Sequence, residues 1–186
     1  VYIDMNLALL GGEEELIRTL AHEFHHIYMD SILSDYYKQD SKDHALVAIC
    51  WNQQEGTADM ISKPVMPTDK MGIYGEKIIK AYNDDYFSTP QVLQELDSLT
   101  CQYLAGKITK KQYRKARECA HFEGHTTGDY MVFLIRDQLG KKAAIECFGD
   151  FAKFVNLYNE AARKANTYVF SDTFVKHIES ECEKMR

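Results

Sequence analysis

The sequence predicts a mainly α fold of the α+β kind: a small β element at the N-terminus, a helix carrying the candidate site behind it, and a helical bundle after that. Three observations point there. Only three prolines and ten glycines interrupt 186 residues, so long regular elements are expected. Apolar positions recur at helical spacing through most of the chain. The opening stretch alone alternates, imperfectly, and stops at Gly11-Gly12 as a short strand would.

Taken in order, residues 1–10 (VYIDMNLALL) read as that strand. Glu13-Glu14-Glu15 then sets three carboxylates in a first helical turn, where the helix dipole favours them. Leu16, Ile17, Leu20, Phe24, Ile27 and Tyr28 follow at helical spacing, predicting one amphipathic helix over 13–33. Residues 34–43 are polar and loop-like, and a second helix runs over 43–62, stopping before Pro64 and Pro67. Gly72 and Gly75 flank a loop before a third helix over 75–86. Ser88-Thr89-Pro90 reads as the start of a fourth over 90–104, with proline at a favourable first position. A fifth spans 109–120, and 121–128 is short, glycine-bearing and irregular. Helices over 129–139, 142–148, 150–164 and 171–185 complete a single domain, 1–186, divided into a metal-binding part, 1–62, and a helical part, 63–186.

Composition narrows the function classes. The formal net charge is −6, and the one dense basic run (Lys107, Lys110, Lys111, Arg114, Lys115, Arg117) reads as a solvated helix face, so no nucleic-acid partner is expected. No apolar run approaches a membrane span. Five cysteines at irregular spacing, with no C-x-x-C, argue against a disulfide framework and mildly favour a reducing compartment. The chain opens directly into an apolar run, which leaves room for truncated residues upstream, an export signal included. Location therefore stays open between cytoplasm and export.

The chemistry sits in His22-Glu23-Phe24-His25-His26. His22 and His26 are four apart, so on a helix both imidazoles leave one face and can take adjacent corners of a tetrahedral Zn²⁺ site. Glu23 can reach a water on the metal without ligating it, the arrangement of the H-E-x-x-H motif. A hydrolytic zinc site needs a third protein ligand and an open fourth corner. The second helix offers Glu55-Gly56-Thr57-Ala58-Asp59, in which Glu55 and Asp59 share a face. Glu55 would complete a His₂Glu set, and Asp59 could accept the outer ring N–H of His22. His25 points to another face of the helix.

H-E-F-H-H followed by E-G-T-A-D resembles the gluzincin, thermolysin-like pattern, and the arrangement over 1–62 and 121–136 is similar to a bacterial family of zinc-dependent peptidases described largely as domains of unknown function. The resemblance implies a zincin-like active-site helix with zinc on His22, His26 and Glu55. It further implies Glu23 as general base, Asp59 as outer partner, and residues 1–10 as an edge strand on which a peptide substrate pairs. Competing patterns fail on the residues. A metzincin needs Gly and His where Met29 and Ile32 stand, and a deformylase needs a cysteine upstream of the motif, whereas the first here is Cys50.

A second polar cluster runs from His121 to Met131. Peptide hydrolysis needs a donor for the developing oxyanion, and His125, then Tyr130, are the candidates for it. His121 and Glu123 leave open a second metal site. His44, His121 and His177 otherwise read as structural, and Trp51 and Tyr82 as core. The expected function is a zinc metallopeptidase in which Glu23 activates the water and the substrate is a peptide or protein. Two alternatives stand beside it: a zinc amide or ester hydrolase with a non-peptide substrate, and a helical binding module with a vestigial or structural zinc site.

Overall fold

A computed structural model of the chain describes residues 5–38, 43–63, 65–69 and 74–185. Among the described residues eight α-helices follow one another: α1 (Met5–Lys38), α2 (His44–Ser62), α3 (Glu76–Leu104), α4 (Lys110–Tyr113), α5 (His125–Leu139), α6 (Lys141–Glu146), α7 (Phe151–Ala165) and α8 (Asp172–Glu183). Two 3₁₀ segments, Arg114–Cys119 and His121–Gly124, join α4 to α5.

The architecture is all-α, and the predicted N-terminal β element is not found. Among the described residues there is no strand, and Met5–Leu10 is helical. The expected strand's first four residues lie outside the described part. The physical reason is legible in hindsight. Leu7-Ala8-Leu9-Leu10 are strong helix formers, and a strand with no partner strand leaves its backbone N–H and C=O groups unpaired. Gly11-Gly12 does not end the element either. Gly12 (φ 78°, ψ 178°) kinks α1 and the helix resumes beyond it. The described residues of the expected loop, 34–38, extend α1.

The expected third and fourth helices are one. α3 runs through Pro90, where Ser88 and Thr89 do not cap a new helix but donate their hydroxyls back to the Asp85 carbonyl, at 2.8 and 3.4 Å. The predicted 109–120 helix survives as one α-turn, opened by a Thr109–Gln112 capping box, and then tightens to 3₁₀.

Three helices, α1, α2 and α5, position the site. α5 packs against α2, α3, α6 and α7, and α1 packs on α2. The α2–α5 crossing is close because Gly56 faces Gly128: a Cβ on Gly56 would lie 2.3 Å from the Gly128 carbonyl oxygen, and one on Gly128 2.2 Å from that of Asn52. The core beneath gathers Leu46, Ile49, Leu93, Leu96, Phe154, Tyr158 and Phe174, all fully buried. Met29 and His25 of α1 are buried. Among the described residues no helix is long and apolar enough to cross a membrane.

Candidate metal centre

α1 projects His22 and His26 from one face, and α2 brings Glu55 to them. Glu55 Oε2 stands 3.4 Å from His22 Nε2 and 3.2 Å from His26 Nε2, and the two Nε2 atoms are 3.0 Å apart. Zinc bonds to imidazole and carboxylate run about 2.0–2.2 Å, so ligand atoms at tetrahedral corners stand roughly 3.3 Å from one another. The three donors already have that spacing. Electrostatics agree. Burial would push the His22 ring down, but the Asp59 and Glu55 carboxylates outweigh it and hold its pKa up at about 9. Burial likewise pushes Glu55 up, yet His22 and His26 draw it down to about 2. The carboxylates thus favour positive charge at the cluster, whether a ring proton or a divalent cation.

Behind them Asp59, almost fully buried, serves two imidazoles. Its Oδ1 lies 3.1 Å from His22 Nδ1 and its Oδ2 2.7 Å from His125 Nδ1. Burial pushes the Asp59 carboxyl up, but His125, His22 and Lys63 hold it well below the usual carboxylate range, so it stays ionised and can only accept. Each ring thus turns Nδ1 to Asp59 and Nε2 toward the centre. His125 Nε2 is 3.4 Å from Glu55 Oε2, as close as that of His22. His125 gets there because it opens α5 directly after Gly124 (φ 106°), which presses on α2: a Cβ there would lie 2.6 Å from the Trp51 carbonyl oxygen.

His22, His26 and Glu55 thus form one group of donors able to hold a metal, and His22, Asp59 and His125 form another. Glu23 follows His22 on α1 and is partly exposed. Tyr130 is elsewhere engaged: its hydroxyl pairs with Thr167 Oγ1 at 2.9 Å and its ring meets Tyr86. His25 is buried against α2 beside the donor group. Its Nε2 faces Thr57 Oγ1 at 2.8 Å, and the Thr57 proton goes to the Gln54 carbonyl, so His25 donates. His121 pairs with Asp85 at 2.6 Å, and neither it nor Glu123 belongs to a group of metal donors among the described residues.

Three residues of this network were not singled out for it from the sequence. Lys63 Nζ donates to Asp59 Oδ2 at 2.6 Å and to the Tyr82 hydroxyl at 3.0 Å, and Tyr82 donates to Asp129 Oδ2 at 2.7 Å. Burial, then the nearby Asp59 charge, push the Asp129 carboxyl well above its ordinary range. The four-residue spacing of Asp59 and Lys63 was a readable signal for that pair. Nothing local announced Tyr82.

A cavity of about 730 Å³ opens over His22, Asp59 and His125. Its walls are Val65, Tyr74, Ile78, Tyr82 and Phe122, with Glu15, Arg18 and Glu123 among its polar groups. No curated protein matches the chain significantly, and no solved structure does. A family model described as "Putative zinc dependent peptidase (DUF5700)" matches residues 1–167, a span that contains every residue of the cluster, and the chain belongs to that family.

Proposed function

We propose that the chain is a gluzincin-type zinc peptidase whose metal ligands are His22, His26 and Glu55. The observation that carries this reading is the mutual spacing of the three donor atoms, 3.0 to 3.4 Å, which suits tetrahedral zinc. Zinc held there would supply a Lewis acid and a more acidic water. The chain's own residues do the rest. Glu23 takes a proton from the attacking water and passes it to the leaving amine. His125, with Nδ1 fixed on Asp59, donates from Nε2 to the oxyanion when protonated. Tyr130 has no part in this scheme, because its hydroxyl is taken by Thr167. Glu15, Arg18 and the apolar walls above His22 and His125 offer an extended peptide a place to lie.

Metal analysis of the protein as purified should find one zinc per chain, and a peptide library should be cleaved. Glu23→Gln should keep the zinc and lose activity by about 10²–10⁴-fold. Full cleavage by that variant, or absence of stoichiometric zinc, overturns the reading.

One observation favours a second reading. His125 Nε2 approaches Glu55 Oε2 as closely as His22 does, so His125 could close the site as a fourth ligand and make it structural.

A further inference from the structure

The backbone of 121–124 is the most strained segment among the described residues. Phe122 (φ 48°, ψ 47°) and Glu123 (φ 60°, ψ 21°) are consecutive non-glycine residues in the left-handed region, followed by Gly124 at φ 106°. The remaining described non-glycine residue of this kind, Asn166, is a helix C-cap, where that conformation is ordinary. A left-handed phenylalanine is costly and persists only where its surroundings hold it.

The clamps are identifiable. His121 Nδ1 is 2.6 Å from Asp85 Oδ1, and Thr126 Oγ1 bonds the other oxygen of the same carboxylate. Gly124 lies against the Trp51 carbonyl of α2. Asp85 of α3 therefore grips the turn from both ends while α2 supports it from below.

What the clamped strain achieves is the placement of one ring. Phe122 stays half exposed, lines the cavity, and tilts against Tyr82 with centroids 5.5 Å apart and planes at 53°. Its neighbour in the chain, three residues on, is His125. Held there, the ring presents its open face to the cavity that also exposes His22 and His125.

We propose, resting on the peptidase reading above, that Phe122 is the specificity-determining residue of the cavity. With Tyr82, Ile78 and Val65 it receives a large apolar side chain, aromatic best, from the residue flanking the scissile bond. Two tilted rings offer a third the edge-to-face contact that aromatic pairs favour.

The experiment is cleavage-site profiling of the full chain on a peptide library, followed by kinetics on matched peptides carrying Phe or Ala at the flanking position. Wild type should favour Phe, and Phe122→Gly should lower the Phe-over-Ala ratio of kcat/KM by about tenfold or more. Phe122→Leu should keep much of that ratio. Phe122→Gly also removes the steric cost of the turn, so its thermal stability should not fall, which separates lost recognition from lost folding. A wild-type preference that survives Phe122→Gly, or the absence of any apolar preference, overturns this proposal alone. A zinc-loaded wild type that cuts no peptide overturns the peptidase reading with it.

Discussion

Asp59 Oδ2 lies 2.7 Å from His125 Nδ1, so a carboxylate on α2 fixes the tautomer of a histidine 66 residues further along the chain. The other oxygen of the same carboxylate faces His22, and one buried group thereby aims two imidazoles at Glu55. The economy has a chemical consequence. His22 and His125 share an anchor, so whatever disturbs Asp59 disturbs both the metal and the group proposed to meet the oxyanion.

Removing His125 alone separates the two readings of the site. His125→Ala should lower kcat by about 10²–10³-fold, the usual loss of one oxyanion donor, while the zinc content is unchanged. Zinc quantified on the dialysed variant decides the matter. If the metal leaves with the imidazole, His125 is a fourth ligand and the site is structural.

Asp59→Asn should weaken zinc. An amide has one acceptor oxygen where the carboxylate has two, so only one of His22 and His125 keeps a partner for its Nδ1–H. The other ring meets an N–H₂ donor and is driven to the wrong tautomer. Lys63 also loses the negative charge it pairs with at 2.6 Å. Loss of such an outer partner costs about 10–100-fold in metal affinity, measurable by competition with a chromogenic chelator. An unchanged affinity would show that Asp59 does not orient His22.

The site was more legible than the fold. His22, His26, Glu55 and Asp59 could be grouped because four-residue spacing on helices is a local property, and the structure brings these side chains together. His125 was readable only as a candidate, since its place depends on how Gly124 lets α5 begin against α2. Tyr82 and the cavity walls come from α3 and from the strained turn, whose positions no local pattern encodes. The N-terminal strand failed because an imperfect alternation over ten residues competes with strong helix formers, and no partner strand exists among the described residues to settle it. The break expected at Pro90 failed because Ser88 and Thr89 bond within the helix and α3 continues. In both cases one local signal outweighed another.

The α2–α5 contact sets the position of His125 and tolerates no added atom. Gly56→Ala and Gly128→Ala each place a methyl group 2.2–2.3 Å from a backbone oxygen of the facing helix. Neither oxygen can move without its helix. Each variant should lose about 3 kcal/mol or more, the upper end of overpacking costs, seen as a lower urea midpoint. Because α5 carries His125 and α2 carries Asp59, zinc affinity should fall in the same variants even where they remain folded. Retained stability in either variant would mean that the helices are free to separate.

Acid stability should depend on a group far from the metal. Asp43 caps α2 by accepting from the Leu46 N–H at 2.9 Å, and it also meets His177 Nε2 at 2.9 Å and the Tyr113 hydroxyl at 3.1 Å. Burial pushes its carboxyl up, but the bonds from His177, Leu46 and Tyr113 outweigh that and hold it below the ordinary value of 3.8. A depressed folded-state pKa means that the folded chain binds fewer protons than the unfolded one between the two values. The stabilisation is therefore complete above pH 3.8 and disappears as pH falls through the lower, folded value. Asp43→Asn keeps a good N-cap but loses the charge, whereas Asp43→Ala loses both and should cost about 1 kcal/mol more at neutral pH. Urea midpoints measured from neutral pH downwards should show wild type and Asp43→Asn converging below pH 3.8, with Asp43→Ala remaining lower throughout. A wild-type advantage over Asp43→Asn that persists unchanged into strong acid would place the stabilisation in something other than this ionised carboxylate.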